Sequence, residues 1–151
     1  MVDALVLYGY SNVNVKDTQL WQRSQMNDKK MLKMFVDCFN AIEHKDNDWL
    51  MNNMGMTSEW FIEHYCLSGN KDVLPILDLP IYIFQGALDG YCDIQGVHDI
   101  KDAFIKSGKT NLKVNILENH GHGLETNDSS NECLSYGQQL LINTIANINL
   151  C

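Results

Sequence analysis

The pattern of apolar and polar positions predicts three β-strands separated by helices. Three short apolar runs, residues 4–8, 81–85 and 112–117, have the length and composition of buried strands. The first is apolar on both faces, which is typical of a strand inside a parallel sheet. Apolar residues at helical spacing follow over residues 94–107 and 133–148. Because helical crossovers join parallel strands, we predict an α/β protein of three layers, with about three parallel strands.

A long helical region separates the first strand from the second. From residue 12 to about residue 75, Met and aromatic residues recur at helical spacing, with a helix cap at Asn27–Asp28 and a break at Gly55. We interpret this stripe first as packing between helices and second as the lining of an apolar pocket. No repeat, low-complexity segment or linker is visible. We therefore predict a single domain, residues 1–151, that contains this helical region as an insertion.

Composition and charge narrow the class of protein. The chain has 151 residues, 45% of them apolar, and a net charge of −8, which is ordinary for a globular domain. The acidic balance argues against nucleic acid or an anionic membrane as a partner. The five cysteines are scattered and show no zinc-binding spacing, so we expect reduced thiols, no metal and no cofactor. No signal peptide or membrane span is visible, and a cytoplasmic location is expected.

Two residues with catalytic chemistry follow neighbouring predicted strands. Asp89 lies after the strand at 81–85, and His122 lies after the strand at 112–117. Parallel strands present their carboxyl ends at one edge of the sheet, where ligands bind, so we expect the two side chains to meet. A carboxylate that holds an imidazole sets its tautomer and stabilises the imidazolium. A plain turn aspartate and a loop histidine bonded to backbone remain the alternative interpretation.

The segments PIYIFQGALDGYC (80–92) and VNILENHGHGLE (114–125), taken together, resemble the C-terminal portion of an α/β-hydrolase. In that superfamily the acid lies in a G-x-x-D turn after the seventh strand, and the base lies in a G-H turn after the eighth. The resemblance implies that Asp89 is the acid and His122 the base. It also implies that the run 4–8 is the sixth strand and that residues 12–75 form a helical cap. No cofactor or metal is implied.

The acid loop departs from the family pattern, which leaves alternatives open. Cys92 and Asp93 stand where the family shows residues like Val-Pro. Asp93 is therefore an alternative acid. His120 is an alternative base, although a hydrogen-bonding role in the loop beside the site suits it better.

The chain contains no G-x-S-x-G nucleophile elbow. The nearest sequence is GYSNV (9–13), in which Ser11 is a weak nucleophile candidate because Val13 replaces the second glycine. Ser107 and Ser135 lie in or at the ends of predicted helices and are poorer candidates. The resemblance therefore implies the C-terminal part of a serine hydrolase for an ester or amide bond. This chain would supply the Asp and His but not the nucleophile, and we expect it to have no esterase activity alone.

Other functions remain open. The main alternative is a non-catalytic binding or interaction module on a remnant α/β-hydrolase scaffold. A complete small enzyme that uses Ser11 or Cys92 is another, and an unrelated flavodoxin-like domain is a third. As partners we expect a small, partly apolar ester or amide and a second copy of the chain. The second copy would pair with the open edge of the strand at 4–8.

Overall fold

A computed structural model describes residues 2–9, 14–65, 69–126 and 133–148. The elements are β1 Leu5–Tyr8, α1 Val15–Gln25, α2 Lys29–His44, α3 Asn47–Met54, α4 Ser58–Tyr65, α5 Asn70–Val73, β2 Ile81–Gly86, α6 Ile94–Lys106, β3 Leu112–Leu117 and α7 Tyr136–Ile148. A single 3₁₀ turn, Leu74–Ile76, follows α5. The described residues therefore form the mixed α/β fold with three parallel strands that the sequence predicts. None of their helices has the length and apolar character needed to cross a membrane.

The strands lie in the order β1-β2-β3, and both pairs are parallel. Leu5 lies opposite Ile81, and Ile81 lies opposite Leu112. The strand β2 is central and almost wholly buried. Within the described residues β1 pairs only with β2, so it has the open edge that we expected for the strand at 4–8. The prediction that this strand is buried on both faces was wrong, because its residues are half-buried and Tyr8 is exposed. An apolar run alone does not distinguish an edge strand from a central one, because that depends on which strands pair with it.

Helices cover both faces of the sheet, which gives three layers. Alternate residues of a strand point to opposite faces. On one face Ile81 and Ile83 pack against the α6 residues Val97, Ile100 and Phe104. On the other face Phe84 and Leu117 pack with Leu140 and Leu141 of α7. The central strand is therefore held by apolar contacts from both sides.

The chain divides into two compact units, Val13–Gly69 and the remainder. The first unit contains α1 to α4. As predicted, Asp28 caps α2 by accepting bonds from two backbone amides, and α3 ends at Gly55, which has a φ of +72°. The core of this unit consists of Cys38, Phe39, Ala41, Ile42, Leu50 and Phe61. Part of the predicted apolar stripe thus packs between helices, and its role as a cap stays a prediction.

Candidate functional site

Three loops meet where the strands end. The strand β1 leads into Gly9, β2 leads into the acid loop (residues 86–93), and β3 leads into the histidine loop (residues 118–126). The structure brings Asp89 of the acid loop and His122 of the histidine loop together. The Nδ1 atom of His122 lies 3.0 Å from Oδ2 of Asp89 and 3.2 Å from Oδ1.

Glycines allow these loops to approach closely. A Cβ atom placed on Gly86 would lie 2.2 Å from the carbonyl oxygen of Gly121 and 2.3 Å from that of His120. A Cβ atom on Gly9, whose φ is +53°, would lie 2.5 Å from the carbonyl oxygen of His122. Only glycine fits at such distances. The three loops therefore form one site whose backbones are in direct contact.

Asp89 is held rigidly. Its side chain is only 1% exposed. Its Oδ1 accepts hydrogen bonds from the backbone amides of Tyr91 at 2.7 Å and Cys92 at 3.0 Å. Its Oδ2 accepts a bond from Nε2 of Gln85, a fully buried residue of β2, at 2.7 Å. An ionised carboxylate only accepts hydrogen bonds, so these donors set its orientation before the imidazole is considered.

His122 is held at one nitrogen and open at the other. Its side chain is 45% exposed, and the ring of Tyr91 packs edge-on against it with centroids 5.1 Å apart. Because the carboxylate of Asp89 accepts, Nδ1 carries the proton and donates it. Within the part of the chain that the structure describes, Nε2 makes no hydrogen bond. This tautomer leaves the Nε2 lone pair available to take a proton.

The start of α7 fastens the histidine loop. Ser135 and Gln138 form a capping box: Oγ of Ser135 accepts from the amide of Gln138 at 3.1 Å, and Oε1 of Gln138 accepts from the amide of Ser135 at 3.0 Å. The same side chains reach the loop, since Ser135 Oγ donates to the Leu124 carbonyl and Gln138 Nε2 donates to the Gly123 carbonyl. The helix therefore begins at Tyr136 and not at residue 133 as the apolar pattern predicts.

The alternative acid and base have other contacts. His120 is buried, and both of its ring nitrogens are engaged: Nδ1 lies 2.7 Å from the Glu118 carbonyl, and Nε2 accepts from the Gly137 amide at 3.2 Å. Asp93 is the N-cap of α6 and accepts from the amide of Gln95 at 3.0 Å. The ring nitrogens of His120 and the carboxylate of Asp93 are therefore already bonded, whereas a base at His120 or an acid at Asp93 would need them for catalysis.

Of the three serine candidates for the nucleophile, the structure describes Ser107 and Ser135. Ser11 lies outside the described residues. The hydroxyl of Ser107 donates to a helix carbonyl, and that of Ser135 serves the capping box.

Cys92 lies beside the pair, on the side of Nδ1. Its buried Sγ donates to the Gly9 carbonyl at 2.8 Å and lies 4.0 Å from Nδ1 of His122. A nucleophile and an orienting acid must engage different ring nitrogens, so Cys92 is poorly placed to give Nε2 a proton. Among the described residues, Asp89, Cys92 and His122 also form a group whose donor atoms all lie within 4.8 Å of one another and could hold a metal ion.

Sequence reasoning missed three parts of this site. The sequence places Gln85 only at the end of a predicted strand, and no local signal indicates that its side chain donates a hydrogen bond to Asp89. The contact between Gly9 and His122 joins residues far apart in the chain. The capping box did have a signal, because Ser135 and Gln138 show the S-x-x-Q spacing.

No protein-family model matches the sequence, and no curated protein matches it. A solved structure of an esterase, RhEst1 from Rhodococcus sp. ECU1013, is similar to this chain with a TM-score of 0.45 and 12% sequence identity. The alignment covers 98% of this chain, and the chain spans 56% of the length of that esterase chain. At this identity and TM-score, the likeness does not establish a shared activity.

Proposed function

We propose that this chain provides the acid–base pair of a serine hydrolase that acts on an ester or amide bond. The observation that carries the proposal is the 3.0 Å contact between Nδ1 of His122 and the buried carboxylate of Asp89. The pair lies beyond the carboxyl ends of parallel strands, the usual place for a ligand site in such sheets. The imidazole of His122 is half-exposed, and its Nε2 has no hydrogen-bond partner among the described residues.

The roles of the two residues follow from their protonation. Nε2 of His122 takes the proton of a serine hydroxyl as that oxygen attacks the carbonyl carbon, and then gives the proton to the leaving group. Asp89 stays ionised, keeps the proton on Nδ1 and stabilises the imidazolium. The donors from Tyr91, Cys92 and Gln85 hold the carboxylate in place throughout.

The nucleophile comes, on this proposal, from outside this chain. Ser107 and Ser135 serve helix ends, Cys92 lies on the side of Nδ1, and the sequence contains no G-x-S-x-G. The chain would then be the C-terminal part of a longer hydrolase.

We also propose the substrate class and the assembly. Met and aromatic residues of Val13–Gly69, with Met51 and Met56 exposed, suit a small, partly apolar substrate.

The outer edge of β1 suits pairing with a second copy of the chain. Light scattering over a wide concentration range tests the assembly, and a constant monomer mass would contradict it.

The tautomer of His122 tests the base role directly. Long-range ¹H–¹⁵N correlation spectra of the ring should show the proton on Nδ1 in the neutral form. Asp89→Asn should weaken that preference, because the amide group can present a donor to the ring. A wild-type ring protonated on Nε2 would contradict the base role, since it has no lone pair for the serine proton.

A fluorophosphonate probe with intact-mass analysis tests the origin of the nucleophile. We expect no stoichiometric adduct on the folded chain. An adduct on Ser11 that disappears in His122→Ala would keep the acid–base pair and place the nucleophile in this chain. An adduct that His122→Ala leaves unchanged would contradict the role of the pair.

A further inference from the structure

We propose that Asp89, Cys92 and His122 form a binding site for Zn²⁺. The three side chains offer a carboxylate oxygen, a sulfur and an imidazole nitrogen, and these donor atoms lie within 4.8 Å of one another. Each is a recognised zinc ligand. They come from two loops that are held together at the ends of β2 and β3, so the folded chain brings the donors together before any ion arrives.

The distances are close to those of a tetrahedral site. Zinc bonds of about 2.0–2.3 Å at tetrahedral angles place neighbouring donor atoms about 3.3–3.8 Å apart. The Nδ1 of His122 lies 3.0 Å from Oδ2 of Asp89 and 4.0 Å from Sγ of Cys92, and all the donor atoms lie within 4.8 Å of one another. Side-chain movements of about 1 Å would bring the three donors into the zinc range. Water would supply the fourth ligand.

The chemistry of the donor set selects the ion. A thiolate and a carboxylate together neutralise the two positive charges of Zn²⁺, which favours the ion in a site where Asp89 and Cys92 are buried. Sulfur and imidazole ligands favour Zn²⁺ and Co²⁺ over Mg²⁺ and Ca²⁺, which prefer oxygen.

Binding requires a defined movement of protons. The zinc–sulfur bond forms as the thiol of Cys92 loses its proton to solvent and gives up its bond to the Gly9 carbonyl. The zinc–nitrogen bond forms at Nδ1 of His122, and the Nδ1 proton is replaced by one on Nε2. Asp89 binds as the carboxylate that it already is. No oxidation or reduction occurs, and one proton leaves the protein for each ion bound.

This movement makes metal binding and the proposed base role exclusive. With zinc on Nδ1, the proton lies on Nε2, and the ring cannot take a proton from a serine hydroxyl. The ion would therefore switch off the pair reversibly. This consequence rests on the proposed function, whereas the metal site itself does not.

Cobalt titration of the reduced, metal-free full chain tests the site without any enzymatic readout. An equimolar amount of Co²⁺ should produce a sulfur-to-cobalt charge-transfer band and visible d–d bands, and Zn²⁺ should abolish them while Mg²⁺ should not. Cys92→Ser should remove the charge-transfer band and weaken binding by more than about 10-fold. Cys133→Ser, at an exposed cysteine, is the matched control and should leave the titration unchanged. A charge-transfer band that survives in Cys92→Ser, or its absence from the folded wild type, would overturn the proposal.

A second measurement needs no variant. Because Cys92 is buried, peptide-level mass spectrometry follows the alkylation of each cysteine over time, until Cys92 of the metal-free chain is modified, with and without Zn²⁺. Zinc should protect Cys92 and leave the alkylation of Cys133 unchanged. Equal alkylation of Cys92 in both conditions would contradict the site even if the Cys92→Ser chain failed to fold.

Discussion

The acid loop and the histidine loop hold their key side chains in opposite ways. Asp89 is fixed by its own neighbourhood, because the amides of Tyr91 and Cys92 and the side chain of Gln85 all lie within four residues of it. Among the described residues the ring of His122 is bonded to one carboxylate, that of Asp89, and its loop is fastened from α7 by Ser135 and Gln138.

The difference has a physical basis. A buried carboxylate must have its charge satisfied, and local amides provide this at little entropic cost. His122 has a ring bonded at Nδ1 alone among the described residues, and further support comes through the backbone of its loop. The backbone is consistent with this: Leu124 of the histidine loop has a φ of +59°, which a bulky non-glycine residue adopts only when its surroundings impose it. The acid loop should therefore tolerate distant changes that disturb the histidine loop.

The largest effect should follow from separating the two loops. Gly86→Ala places a Cβ atom 2.2 Å from the backbone oxygen of Gly121, which cannot rotate away. We expect the free energy of unfolding to fall by about 3 kcal/mol. Urea unfolding followed by circular dichroism measures it. Gly90→Ala is the control, because a Cβ atom there meets nothing within 4 Å, and it should change stability by less than about 0.5 kcal/mol. Equal losses in both variants would show that the loops do not pack closely.

Asp89→Asn should break the local support of the acid loop. The substitution replaces one carboxylate oxygen of Asp89, which accepts hydrogen bonds, with an NH₂ group that can only donate toward Gln85 or His122. It also removes the negative charge that strengthens the remaining hydrogen bonds. We expect a loss of about 2 kcal/mol in urea unfolding. Asp93→Asn is the matched control, because Asn caps a helix as well as Asp does, and its cost should stay under about 0.5 kcal/mol. The reverse order of costs would assign the structural role to Asp93.

Ser135→Ala should affect only the histidine loop. It removes the N-cap of α7 and the bond to the Leu124 carbonyl, and we expect a loss of about 1 kcal/mol. Proton–nitrogen NMR spectra should show shifted His122 ring signals and unchanged Tyr91 and Cys92 amides. Ser24→Ala, at an exposed helix position, is the control and should leave both sets unchanged. Equal shifts in both loops would contradict the separate support of His122.

The smallest effect should come from an ion pair between Lys109 and Asp78, which lies at the amino ends of the strands, away from the candidate site. Lys109 donates to Asp78, and this hydrogen bond and charge lower the pKa of Asp78. A lowered pKa in the folded state stabilises the protein above the ordinary pKa and is lost as the pH falls. Lys109→Met should therefore lower the urea midpoint slightly at neutral pH, and the difference from wild type should shrink progressively as the pH falls below about 4. The difference should also shrink at high salt, because both side chains contact solvent. A difference that grows in acid would contradict this sign.

Much of the fold could be predicted because its signals are local. The cap at Asp28, the break at Gly55 and the three strands all follow from short patterns of residue type. The partial burial of β1 could not be predicted in this way, because apolar runs occur in edge strands and central strands alike. The start of α7 was placed three residues too early, because apolar spacing continued past the capping box.

The sequence by itself determined the alternation of strands and helices, and it identified Asp89 and His122 as residues at the ends of successive strands. These features depend on neighbouring residues, whose spacing is visible in a linear chain. Only the tertiary structure decided that Gln85 orients the carboxylate, that Gly9 lies against His122, and that Cys92 lies on the side of Nδ1. Those contacts depend on strand order and on loop geometry at distances of a few ångströms, and the pattern of residue types does not encode them locally.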